Sequence, residues 1–101
     1  MRQKILTAKE KRRFLELGCQ DGEGGDAIVV VHFFYGTFDW YATEYDERTG
    51  LFFGWVKSPM CGISGGEWGS FSAREFQGTP VERDLHWTEK RLREVSGYGG
   101  N

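Results

Sequence analysis

The chain has 101 residues, a formal charge of −2, and is 39% apolar and 16% aromatic. That length supports one domain with one core, and eight Phe, four Tyr and four Trp supply the ring surface to fill it. The composition excludes a disordered chain, a collagen-like repeat and a disulfide-dense scaffold, and the near-neutral balance excludes a nucleic-acid polycation.

Charge is unevenly spread. Residues 1–17 carry +4, residues 18–51 carry −6, and the remainder balances. Met1-Arg2-Gln3-Lys4 runs directly into a charged helical pattern, without the apolar stretch of a leader peptide. No apolar run approaches the ~18–20 residues that cross a bilayer. A cytoplasmic protein is expected, with Cys19 and Cys61 as reduced thiols.

Thr7 to Leu17 is predicted to be a helix, with Thr7 as its cap, Glu10 at the capping-box position and Gly18 as its stop. Asp21 to Asp26 reads as an acidic, Gly-rich loop. Ala27 to Tyr35 reads as one strand, apolar on both faces and therefore covered on both. Gly36-Thr37 fits a two-residue turn into a second strand, Phe38 to Tyr45. There Phe38, Trp40 and Ala42 share one face, and Asp39, Tyr41 and Thr43 the other. A longer hairpin loop ending at Gly50 leads into a third strand, Leu51 to Lys57.

Ser58 to Gly66 is expected to be an irregular loop, and Glu67 to Phe71 a short fourth strand. Ser72 is placed to cap a short helix over 73–76. Val81 to Trp87 is expected to be extended, because Thr79 before Pro80 disfavours helix. Thr88 to Val95 has the charge pattern of a short helix, and residues 96–101 read as a frayed tail. The expected fold is α+β: an N-terminal helix on an antiparallel meander of about four strands, with an extended or helical C-terminal segment. All 101 residues form one domain in this reading, with an ordered core over about 5–95.

Several stretches resemble a known family. They are Leu6-Thr7-Ala8-Lys9-Glu10, Asp39-Trp40-Tyr41-Ala42-Thr43-Glu44, Leu51-Phe52-Phe53-Gly54, Gly66-Glu67-Trp68-Gly69-Ser70-Phe71-Ser72 and Pro80-Val81-Glu82-Arg83-Asp84-Leu85-His86-Trp87. Their order resembles the domain of unknown function 2958 family, small proteins of bacterial plasmids and integrating conjugative elements. The chain departs from that pattern in its tight Gly36-Thr37 turn, its Gly-rich stretch around Cys61 and its short tail after His86. The resemblance implies a mobile-element setting and brings no catalytic residue with it.

Three constellations bear on chemistry. In an extended segment Glu82, Asp84 and His86 point one way, as an acid–imidazole cluster for proton transfer would require. The same segment also reads as a structural network, with Glu67, Glu82 and Asp84 as acceptors and Arg83 reaching a bidentate partner. Cys19, His32, Cys61 and His86 are zinc-type ligands without zinc spacing, so no metal and no cofactor is expected. Lys9, Arg12 and Arg13 form a basic stripe that would suit phosphates if the protein were a nucleic-acid accessory.

The leading expectation is a non-enzymatic interaction protein of a mobile element, monomeric or homodimeric, that binds a host- or element-encoded protein. Blocking a restriction or CRISPR nuclease is one form of that role. The candidate binding surface is the acidic patch of Asp39, Glu44, Asp46 and Glu47. The alternatives are a small enzyme at Glu82, Asp84 and His86, or nucleic-acid binding by the first helix.

Overall fold

The computed structural model describes residues 5–59, 65–95 and 98. Helix α1 spans Ala8–Leu17. The Thr7 hydroxyl accepts from the Glu10 amide at 3.1 Å, and the Glu10 carboxylate accepts from the Thr7 amide at 2.9 Å. A cap of this kind contributes about 1 kcal/mol. Gly18 follows at φ 62°, a conformation that costs glycine alone no steric clash.

Five strands form one antiparallel sheet: β2 (Val31–Tyr35), β3 (Phe38–Asp46), β4 (Leu51–Lys57), β5 (Gly66–Ser72) and β6 (Glu82–Arg83), in the order β5-β4-β3-β2-β6. A two-stranded sheet pairs β1 (Ile28–Val29) with β7 (Lys90–Arg91). Helix α2 spans Ala73–Phe76, and the Ser72 hydroxyl caps it by accepting from the Arg74 and Glu75 amides. The fold is α+β, with an N-terminal helix followed by a meander. Among the described residues no helix is long and apolar enough to cross a membrane.

Strand alternation sorts the rings onto two faces. Phe33, Ala42, Phe52 and Phe71 meet Phe14 of α1 and Phe76 of α2 on one face. Phe76 lies edge-on to Phe33 at 5.2 Å and to Trp40 at 5.1 Å. On the other face Tyr41 and Trp55 are covered by Leu92, Val95, Trp87 and Tyr98. An ion pair fastens α1: Arg83 donates to both oxygens of Glu10, with Nη1 to Oε1 at 2.6 Å and Nη2 to Oε2, and Nη1 also donates to the Ile5 carbonyl. Both side chains are largely buried, so loss of one partner would strand a charge in the interior.

Two expectations are corrected. The strand expected over Ala27 to Tyr35 is broken at Val30. Val29 belongs to the C-terminal cluster, while Val30 and Val31 both join the helix-side core, so the alternation slips by one residue. The helix expected over Thr88 to Val95 is instead strand β7 and a single 3₁₀ turn, Leu92–Glu94. An isolated segment that short does not sustain a helix. Its backbone pairs with β1, and the Leu92 amide donates to the Ala27 carbonyl at 2.9 Å. The tail expected to fray over 96–101 lies outside the described residues, apart from Tyr98.

Where the strand breaks, the β3–β4 register also shifts between Ala42 and Glu44. The buried Gln20 side chain spans both irregularities. Its amide nitrogen donates to the carbonyls of Ile28 at 2.9 Å and Thr43 at 2.7 Å, and its oxygen accepts from the Ile28 amide at 2.7 Å. Opposite the register shift sits Gly54, where an added Cβ would collide with the Tyr41 carbonyl. Gly54→Ala is expected to lower the free energy of unfolding in urea by about 2–3 kcal/mol. Gly69→Ala, with nothing within 4 Å of the added carbon, is expected to change it by less than about 0.5 kcal/mol.

Candidate functional site

Three titratable side chains converge on the face of the sheet opposite α1. The turn at Gly36-Thr37 pairs Tyr35 with Phe38 and Phe34 with Asp39, which sets Asp39 diagonally across from His32 on the same face. β6 runs beside β2, and the Asp84 amide donates to the His32 carbonyl at 2.9 Å. His32 Nδ1 lies 2.9 Å from Asp84 Oδ2, and Nε2 lies 2.7 Å from Asp39 Oδ1. Ionised carboxylates only accept, so both bonds form together when both ring nitrogens carry hydrogen.

Aromatic rings frame the imidazole. Tyr41 stacks on it at 4.6 Å and 6°, and Trp87 tilts over it at 5.3 Å. Trp87 Nε1 donates to the Val29 carbonyl at 3.0 Å. Burial, with the charges of Asp39 and Asp84 adding to it, pushes the Tyr41 phenol up to about 12. Burial alone would raise the Asp84 carboxyl. The hydrogen bond from His32, the His86 amide and the charges of both imidazoles outweigh it and hold Asp84 below its ordinary value.

Both ring nitrogens of His32 already face a carboxylate, which leaves neither directed at open solvent for a substrate. Its bonds join β2, β3 and the residue after β6. Mechanically it is a clamp across three elements.

The cluster differs from the one expected at Glu82, Asp84 and His86. The segment is extended only to Arg83 and then turns, with the Trp87 amide meeting the Asp84 carbonyl at 3.3 Å. Glu82 and His86 are exposed, and the His86 amide donates to Asp84 Oδ1 at 3.0 Å. Of that trio Asp84 alone enters the cluster; the imidazole is His32 and the second acid is Asp39. Within the proposed structural network, Arg83 binds Glu10 and Asp84 binds His32, while Glu67 is exposed on β5.

Cys19 is exposed, Cys61 lies outside the described residues, and among the described residues no His, Cys, Asp and Glu side chains gather to hold a metal ion. Lys9 and Arg12 are exposed on α1. Arg13 is held by Glu89 at 3.0 Å and by Glu16 at 3.5 Å. These three cations line a cavity of about 490 Å³ together with Glu10, Glu16 and Glu89, so its charge is mixed.

The acidic patch divides. Asp39 is engaged by His32, and Glu47 pairs with Lys11 at 3.7 Å. Glu44 and Asp46 instead line a second cavity of about 360 Å³, between the end of α1 and the β3–β4 hairpin. Its walls are Phe14, Leu15, Tyr45, Leu51, Phe52 and Phe53. Leu15 is 73% exposed and Leu51 44% exposed, so two leucines face solvent at one groove. Glu44 accepts from the Gln20 amide at 3.0 Å, and Asp46 accepts from the Arg48 amide at 2.9 Å and pairs with the Arg48 guanidinium at 3.7 Å. The last turn of α1 holds no basic residue and contains Glu16. The negative end of the helix dipole therefore adds to the acids.

Compared with known proteins, the chain matches no family model, no curated protein and no solved structure.

The Asp84 shift fixes a sign for pH dependence. The folded value lies below the unfolded value of 3.8, so this stabilisation is complete above 3.8 and is lost as pH falls through the folded value. At neutral pH, Asp84→Asn is expected to cost about 1–2 kcal/mol. In thermal melts taken from neutral pH down into the acid range, the gap between wild type and Asp84→Asn should close below 3.8. Parallel pH profiles for the two proteins would contradict the clamp.

Proposed function

We propose that this protein works without catalysis, by binding another protein at the groove between α1 and the β3–β4 hairpin. The observation that carries this reading is the pairing of exposed Leu15 and Leu51 with the acids Glu44 and Asp46 in one cavity. Lone surface leucines need no explanation, but apolar side chains gathered in a recess whose charged lining residues are both acids suit a partner. The chemistry selects the occupant: a partner segment that sets an apolar side chain into the recess and Lys or Arg against the rim.

Of the earlier patch, Glu44 and Asp46 are the acids that line this cavity, Asp46 with Arg48 beside it. A mobile-element setting and a counter-defence role against a restriction or CRISPR nuclease are what the sequence resemblance would imply, and a cytoplasmic setting is what the charged start of the chain and its short apolar runs suggest; all three belong to this proposal. Such nucleases carry basic grooves, which are partners of the required sign. Catalysis at Glu82, Asp84 and His86 has less support, because those side chains do not converge. Nucleic-acid binding by Lys9, Arg12 and Arg13 has less support, because acids share their cavity.

A fluorescein-labelled amphipathic Leu/Arg peptide, with a Leu/Glu peptide as control, tests the reading by fluorescence anisotropy. The Leu/Arg peptide should bind saturably and more weakly as salt rises. Leu15→Asp and Asp46→Lys should each weaken it at least about tenfold, equivalent to about 1.4 kcal/mol. Both residues are exposed, so neither change disturbs the core. Equal binding of the Leu/Glu peptide, or undiminished binding by both variants, would refute the groove.

A further inference from the structure

The cavity of about 490 Å³ beside α1 has a lining of mixed charge, and the pairs within it sort that charge out. Glu10 accepts from the Arg83 guanidinium and from the Thr7 amide. Glu89 accepts from Arg13 Nε at 3.0 Å and 3.1 Å, and Glu16 pairs with Arg13 at 3.5 Å. Every acid of the lining therefore has a cation on it. Lys9 and Arg12 have no acid on them: among the described residues neither makes a hydrogen bond or an ion pair. With Arg83 included, four cations meet three acids, so one positive charge is left over at the cavity.

The position of Lys9 points the same way. It lies in the first turn of α1, where the positive end of the helix dipole disfavours a cation. Arg12, three residues on, is its neighbour on the helix surface. Two adjacent cations without acids gain from an anion held between them, and a guanidinium grips a phosphate by two parallel hydrogen bonds. The rest of the lining is not all charged. Val30 and Trp87 are apolar walls, and Trp87 is fixed in place by the bond from its Nε1 to the Val29 carbonyl. Thr7 and Thr88 add hydroxyls. The volume lies within the ~300–1,000 Å³ of small-molecule sites.

We propose that this cavity binds a small organic phosphate monoester, with the phosphate between Lys9 and Arg12 and the apolar body against Val30 and Trp87. A phosphate monoester carries about −1.5 to −2 at neutral pH, which matches two cations, whereas a carboxylate balances one. One compact anionic group meets Lys9 and Arg12 alone, while a chain of phosphates laid along α1 would run past Glu16. The cavity shares no lining residue with the groove at Leu15 and Leu51, so either site can fail while the other stands.

Isothermal titration calorimetry with adenosine 5′-monophosphate as the probe tests the proposal. The nucleotide should bind one to one with a Kd below about 1 mM. Adenosine, which lacks the phosphate, should bind at least about tenfold more weakly. Lys9→Gln and Arg12→Gln should each weaken the nucleotide at least about fivefold. Lys11→Gln, on the same helix but outside the cavity, should leave its affinity within about twofold. Lys9 and Arg12 are exposed, so both variants should keep the wild-type circular dichroism and melting temperature. The absence of saturable binding up to about 10 mM nucleotide, or adenosine binding as tightly as the nucleotide, would overturn the proposal. So would Lys9→Gln and Arg12→Gln chains that bind as wild type does, or a Lys11→Gln chain that loses as much affinity as they do. Tighter binding of a single-stranded oligothymidylate than of the nucleotide would also overturn it, since α1 would then serve a polyanion.

Discussion

One glutamine holds the place where the chain changes faces. Between Val29 and Val31 the backbone leaves the two-stranded sheet and enters the larger one, and β3 shifts register beside it. Such irregularities free backbone groups in the interior, where an unmade hydrogen bond costs about 1–3 kcal/mol. The Gln20 side chain engages both groups of Ile28 and the Thr43 carbonyl. The slip it stabilises lets Val29 cover one face of the sheet while Val30 and Val31 cover the other. A domain of this size has one core's worth of rings, and this arrangement commits them to both faces of a single sheet. The binding role proposed above accordingly uses the outer surface.

The acid–imidazole cluster belongs to the same economy. Residue by residue it has the ingredients of acid–base chemistry, yet its bonding is that of a fastener. Asp84 and Asp39 occupy both nitrogens of His32, and Tyr41 and Trp87 close over the ring. The clamp fixes β6 and the chain that follows it. That chain supplies Leu92 and Val95, which seal the second face. On the first face Arg83, the neighbour of Asp84, fastens α1 through Glu10. Adjacent residues of one short segment thus secure opposite sides of the sheet, as the alternation of an extended strand dictates.

Much of this was legible in the sequence. The capping box at Thr7 and Glu10, the Gly36-Thr37 turn, and the strand over Leu51 to Lys57 all carry local signals, and each forms as read. The Arg83 partner was implied by side-chain type, but its identity as Glu10 is a long-range fact. His32 and Asp39 could have been paired from the sequence. A polar residue inside an apolar strand, together with the register the turn imposes, places them diagonally on one face. The role of Gln20 and the slip at Val30 could not be read, because both depend on β3 packing alongside. The C-terminal helix failed for a related reason: its charge pattern is local, while its conformation follows from pairing with β1. The groove joins the end of α1 to a hairpin some thirty residues away, so no linear motif announces it.

In the proposed reading the groove beside Leu15 and Leu51 binds the partner, while the His32 cluster holds the fold together. Amide chemical-shift mapping of the ¹⁵N-labelled chain during titration with the Leu/Arg peptide separates the two most directly. The account predicts progressive shifts at Leu15 to Gly18, Glu44 to Asp46 and Leu51 to Phe53, with the amides of His32, Asp39 and Asp84 unmoved. Shifts centred on His32 and Asp84, with the α1 end and the β3–β4 hairpin unchanged, would contradict it.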